Sequence, residues 1–208
     1  MQKKIAVFAG FAFLAVGLFA GLFFSAFQPS SAAGQAVTVS ATVTKTISCS
    51  NSTTTTSFGT LSAVAVNTSA PSVSSTMACV NDLGGCTLSI NDTGNAGNGG
   101  LWSAGTSHLI PSPNAAYAAT ATLAAGTEGF GIQATTTAGS GAAFTVAANY
   151  NYSGNNTVGK LSPTPATLVS TTATTTGASV IVNNLAAISA LTPGGSYTDT
   201  ITYGCLAN

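Results

Sequence analysis

The stretch AVTVSATVTKTISCS, residues 36–50, alternates with a strict period of two. Val37, Val39, Ala41, Val43, Ile47 and Cys49 take the odd positions, while Thr38, Ser40, Thr42, Thr44, Thr46 and Ser48 take the even ones. That period puts one set of side chains on each face of a β-strand. Strands usually run about 5–6 residues and seldom exceed about 10. The run is therefore too long for one ordinary strand, and any fold that uses it must divide it.

What precedes the run sets the compartment. Lys3 and Lys4 are followed by an uncharged apolar stretch from Ile5 to Phe27 and then by the small residues Ser30, Ser31, Ala32 and Ala33. This order reads as a secretion signal cleaved after Ala33. The apolar stretch also has the length of a membrane-spanning helix, so residues 1–33 read as a signal peptide or as a retained N-terminal hydrophobic helix. In both cases the lysines stay inside and everything after Phe27 is exported. The expected location is secreted or at the cell surface, with membrane contact only through residues 5–27. Residues 34–208 have the size of a single domain.

Charge is scarce in that domain. Its basic residues are Lys45 and Lys160, its acids are Asp82, Asp92, Glu128 and Asp199, and there is no arginine. So few cations cannot neutralise a phosphate backbone, which excludes nucleic acid as a partner. The acids form no recurrent pair for glycoside hydrolysis. A Ser-His-Asp arrangement would have to use His108, read as a loop residue beside the proline-rich Ile110–Asn114. The chain reads as non-enzymatic, with no cofactor.

Beyond residue 50 the chain shows short strands between turn clusters. Ser72–Val80 and Cys86–Ile90 flank Asn-Asp-Leu-Gly-Gly, a hairpin connection. Asn91–Gly100 is rich in Gly and Asn and reads as a flexible turn. It lacks the spaced acids and distal glutamate of an EF-hand loop. Further strands are expected at Tyr117–Leu123, Gly129–Thr135, Ala143–Tyr150, Thr167–Thr172, Ser179–Asn183 and Ser196–Tyr203. Asn183–Leu191 has the composition of one helical turn. Many short strands without intervening helices predict an antiparallel sandwich or barrel. The threonine runs have no fixed period, which argues against a solenoid.

The cysteines are Cys49, Cys79, Cys86 and Cys205. In an exported chain an even count predicts two disulfides, and three connectivities are open. Their spacings, with His108 as the single histidine, fit no zinc pattern, so no metal site is expected. Trp102 and Tyr117 flank the proline-rich loop, and Tyr150 and Tyr152 frame NYNYSGNN; exposed aromatics beside Asn and Gly serve sugar or protein contacts or cap a sandwich. The Asn-x-Ser/Thr triplets reflect composition.

The order of motifs resembles the spore coat protein U and secreted-pilin domain. These motifs are VSATV…ISCS, then FGTL at Phe58–Leu61, a second cysteine strand ending at Cys79, and a final GGSYTDTITY. Gly126–Ile132, GTEGFGI, is similar to a phrase in small secreted bacterial surface proteins. The resemblance implies an immunoglobulin-like Greek-key antiparallel β-sandwich whose subunits lend an N-terminal strand to the next copy. It also implies a Cys49–Cys79 disulfide, which leaves Cys86 with Cys205; a Cys79–Cys86 pair is the alternative. The Gly-rich loop and the extra cysteines depart from the family pattern and put polymerisation in doubt more than fold.

Lys45 and Asp199 each place a charge on the apolar face of a terminal strand. Such charges are costly inside unless paired, so the two form a candidate buried pair. The sharper form of that reading is a Lys–Asp amide bond with Glu128 shuttling the proton. The functional expectation is a pilus- or coat-like structural subunit assembling by β-strand addition. Val37, Val39, Ala41 and Val43 would be the donated strand, and Ile47 and Cys49 would begin the subunit's own. Its partners would be copies of itself or other surface proteins. The alternative is a self-contained, membrane-anchored binding module that recognises a glycan or protein through its loops.

Overall fold

The computed structural model of the chain describes residues 38–112 and 120–208. The signal or anchor reading of residues 1–33, Val37 and Tyr117 lie outside them. Contacts divide the chain into two units, one ending at Thr42 and a second, compact one, Val43–Asn208. The second contains β1 (Thr46–Asn51), β2 (Asn67–Thr68), β3 (Val73–Val80), β4 (Cys86–Asp92), β5 (Gly100–Ser103), β6 (His108–Pro111) and β7 (Thr120–Thr122). It continues with β8 (Gly129–Thr137), β9 (Ser140–Gly141), β10 (Thr145–Val146), β11 (Thr157–Gly159), β12 (Ala166–Ser170), β13 (Thr175–Ala187) and β14 (Ile201–Ala207). The described residues contain no helix, so the fold is all-β, as composition and strand spacing predicted.

One sheet runs in the order β1-β3-β13-β8-β11-β7, with β2 and β9 also paired to β13. A second runs β10-β12-β4-β14, and β5 pairs with β6. Every pairing is antiparallel. The alternating rows explain how the two larger sheets meet. In β3, Val73, Ser75, Met77 and Cys79 are buried while the residues between them are partly exposed. In β4, Cys86, Leu88, Ile90 and Asp92 are buried in the same manner. These rows share one core with Phe130, Ile132, Leu168, Val169, Val180 and Val182. Each large apolar side chain removed from water there contributes about 1.5–3 kcal/mol.

Three expectations need correction. Ser72–Val80 and Cys86–Ile90 do form strands, but not a hairpin: β3 and β4 belong to different sheets, and residues 81–85 carry the chain from one to the other. Asn91–Gly100 is not wholly loop, because β4 runs through Asp92 and β5 begins at Gly100. The stretch from Asn183 is not helical but the far half of β13. Its helix-like composition has a physical cause. Asn184 to Ala187 are all buried, the second face being covered by Leu123 and Val158. A strand buried on both faces loses its alternation.

Candidate functional site

The most unusual chemistry lies at the two ends of β4. At its C-terminal end, Asp92 continues the inward row of Cys86, Leu88 and Ile90 and is fully buried. Opposite it stands Ile201, the first residue of β14. Asp199, two residues earlier, reaches the same end of the core. Asp92 Oδ2 accepts the Gly100 N–H (3.1 Å), while Oδ1 has no hydrogen-bond partner. Asp199 Oδ1 accepts the N–H groups of Gly94 (3.2 Å) and Thr200 (2.7 Å), and its Oδ2 has none. Burial, reinforced by the charge of Asp199, pushes the Asp92 carboxyl up to about 7 against the opposing pull of the Gly100 N–H and Lys160. Burial likewise raises Asp199.

The loop between β4 and β5 is folded tightly around this pair. Asn95 and Asn98 exchange backbone hydrogen bonds of 2.9 Å. Gly94 has φ +48°, and a Cβ there would lie 1.9 Å from the Asn98 carbonyl oxygen and 3.0 Å from Asp92 Oδ1. A Cβ on Gly99 would lie 2.8 Å from Asp92 Oδ2. The glycines read as flexibility in the sequence are what allow the backbone to close on a carboxylate.

At the other end, Asp82 lies in the turn between β3 and β4. Its Oδ1 accepts the Gly84 N–H (2.9 Å) and meets Lys45 Nζ at 2.7 Å. Asp82 is 1% exposed, whereas the Lys45 side chain is 57% exposed. The hydrogen bond from Lys45 holds the Asp82 carboxyl below its ordinary range. The expected Lys45–Asp199 pair is therefore wrong. Thr46 faces Val80 in the register of β1 and β3, which carries Lys45 to the turn holding Asp82. Asp199 sits at the opposite end of β4. Glu128 does not attend the lysine either: its Oε1 is 2.9 Å from His108 Nε2 and also accepts the Thr192 hydroxyl. His108, expected in a loop, starts β6.

The disulfide pairing is also corrected. Cys49 is bonded to Cys205, with Cα atoms 6.3 Å apart, and Cys79 and Cys86 are free and buried. Cys49 faces Met77 and Cys205 faces Leu88, so each stands two residues off register from the partner expected for it. Both expected pairs would have lain within a sheet. The actual bond joins β1 to β14, the edges of two sheets. Burial, aided by the adjacent Cys86 thiol, pushes Cys79 up to about 12 and keeps it protonated.

The remaining residues scatter. Val39 and Val43 are 88% and 71% exposed, Ala41 is also exposed, and none lies in a strand. Tyr150 is wholly buried and donates its hydroxyl to the Lys160 carbonyl. Trp102 sits in β5 and exchanges backbone hydrogen bonds with Thr198. A groove of about 680 Å³ runs past Phe58, Leu61, Leu101, Ile188, Tyr197 and Ile201. Asp92 escaped the sequence reading because Asn-Asp before Thr-Gly looks like a turn. The usable signal was the period of two, which continues unbroken from Cys86 to Asp92.

The chain matches no family model, no curated protein and no solved structure.

Proposed function

We propose that this chain is a non-enzymatic surface protein of immunoglobulin-like Greek-key type, a subunit that joins copies of itself by strand addition. The observation that carries the reading is the position of the alternating run relative to the chain's own first strand. β1 begins only at Thr46, and Val39 and Val43 before it expose their side chains almost fully. A sequence that alternates like a strand yet has no sheet of its own has the properties of a strand made for another sheet.

Receiving surfaces of the right kind exist in the same chain. Among the described residues β14 pairs only with β4 and β1 only with β3, so each is an edge strand, the two being joined by the Cys49–Cys205 bond. The groove past Phe58, Leu61, Tyr197 and Ile201 adjoins the start of β14 and offers apolar surface for alternate side chains. Main-chain hydrogen bonds would supply affinity and the groove register.

The test compares the full chain with a Val39→Asp, Val43→Asp double variant by light scattering. Oligomers from the wild type and a monomer of unchanged melting temperature from the variant are expected. A wild type that stays monomeric sinks the assembly reading and moves attention to recognition by the loops.

A further inference from the structure

We infer that the buried Asp92–Asp199 end of the core is a binding site for a hard divalent cation, calcium. Asp92 ends the inward row of β4 and Asp199, half-buried, stands just before β14 at the same end of the core; each presents a buried carboxylate oxygen with no hydrogen-bond partner. They meet on one residue. Gly94 donates its N–H to Asp199 Oδ1 (3.2 Å), and its Cα carries no Cβ where one would stand 3.0 Å from Asp92 Oδ1. Two carboxylates held around one glycine at the end of a core repel each other, and a cation or a shared proton relieves this; Lys160 opposes it only in part, since the Asp92 carboxyl stays raised.

The surroundings favour the cation. The chain wraps the pair with an oxygen-rich loop, Asn91 to Gly100, closed on itself by the Asn95–Asn98 backbone bonds. Among the described residues no three of His, Cys, Asp and Glu come together as a metal-binding group. The two carboxylates would therefore be completed by backbone and amide oxygens and water. An all-oxygen donor set selects calcium, magnesium or manganese over zinc or copper. Calcium accepts about 6–8 oxygens in irregular arrangements, whereas magnesium demands a near-octahedral shell and gives up its water reluctantly. An irregular glycine loop around two carboxylates suits the former. The EF-hand spacing is absent because the second acid comes not from the same loop but from the segment before the last strand, a juxtaposition only the fold creates.

The test is thermal unfolding of the full chain at pH 7.5 in a chelator and in calcium chloride, with calorimetric titration of calcium alone into the folded protein. A hundredfold excess over Kd should raise the melting temperature by ~5–10 °C. Asp92→Asn and Asp199→Asn should each remove the shift while keeping the aromatic circular dichroism of the wild type in chelator. Should Asp92→Asn fail to fold, Asp199→Asn, whose residue is only partly buried, decides alone. No shift and no binding heat in the wild type would overturn the assignment. A shift that persists undiminished in the substituted chain would overturn it equally.

Discussion

Asp82 and Asp92 bracket the same strand, are equally removed from solvent, and are driven in opposite directions. Asp82 meets an ammonium group and a backbone N–H, and its carboxyl is held below the ordinary range. Asp92 meets a backbone N–H, a second acid and the weaker pull of Lys160, and burial with the charge of Asp199 pushes its carboxyl up to about 7. Burial pushes both carboxyls up; beside Asp82 the Lys45 hydrogen bond outweighs it, and beside Asp92 the charge of Asp199 reinforces it. One end of β4 is thus electrostatically closed by the chain's own residues, and the other is left acidic.

Both acids are held by glycine turns, so the largest effects should come from those glycines. Gly85 has φ +77°, and a Cβ there would lie 2.1 Å from the Thr171 carbonyl oxygen. Gly94 has φ +48° and a Cβ position 1.9 Å from the Asn98 carbonyl oxygen. In each case the obstacle is backbone, which has no rotamer in which to yield. Gly85→Ala and Gly94→Ala should each cost ~2–4 kcal/mol in denaturant unfolding. A neutral Gly94→Ala would mean that the loop is not closed on Asp92, and the contrast between the two ends would lose its basis.

How much of this was legible follows from which faces are buried. β3, β4 and the first half of β8 were readable because apolar or small residues recur at core positions over several steps. The far half of β13 was not, since Asn184, Leu185, Ala186 and Ala187 are covered on both faces and imitate a helix. The last strand reads as Ser196–Tyr203 but runs Ile201–Ala207, because its alternation continues backward through Asp199 and Tyr197 without a break. The cysteine and lysine partners were unreadable for a different reason. Both depend on which strand edges meet across sheets, and alternation specifies a face without specifying a neighbour. The acid pair combined both difficulties: Asp92 ends a readable row, but only topology brings Asp199 to it.

A middle-sized effect should separate the two ends by pH. With its folded pKa raised to about 7, Asp92 contributes its stability fully below the ordinary carboxyl pKa and loses it as pH rises through about 7. In chelator, the wild type should therefore melt at a lower temperature at pH 8 than at pH 5. Asn keeps an acceptor for the Gly100 N–H but cannot ionise. Asp92→Asn should exceed the wild type at pH 8 by ~1–2 kcal/mol, which is ~2–8 °C in a chain of this size, and the two curves should draw together as pH falls toward the ordinary carboxyl pKa. A wild type that gains stability between pH 5 and 8, with Asp92→Asn below it throughout, would show that Asp92 is ionised and satisfied, and the contrast with Asp82 would disappear.

The smallest effect is expected at Lys45, because its side chain is 57% exposed and water replaces part of what it supplies. The sign is nevertheless specific. Asp82 has a lowered folded pKa, so its contribution is present above the ordinary carboxyl value and is lost as pH falls through the lowered one. Lys45→Ala should lower the melting temperature at neutral pH and make the loss below pH 4 shallower, since the Gly84 N–H remains bonded to the carboxylate. Lys45→Arg should restore most of both, because a cation is again available to the buried oxygen. If Lys45→Ala instead leaves the melting temperature unchanged from pH 3 to pH 8, the Gly84 N–H alone holds Asp82 ionised. The difference between the two ends of β4 would then be one of backbone hydrogen bonding rather than of charge.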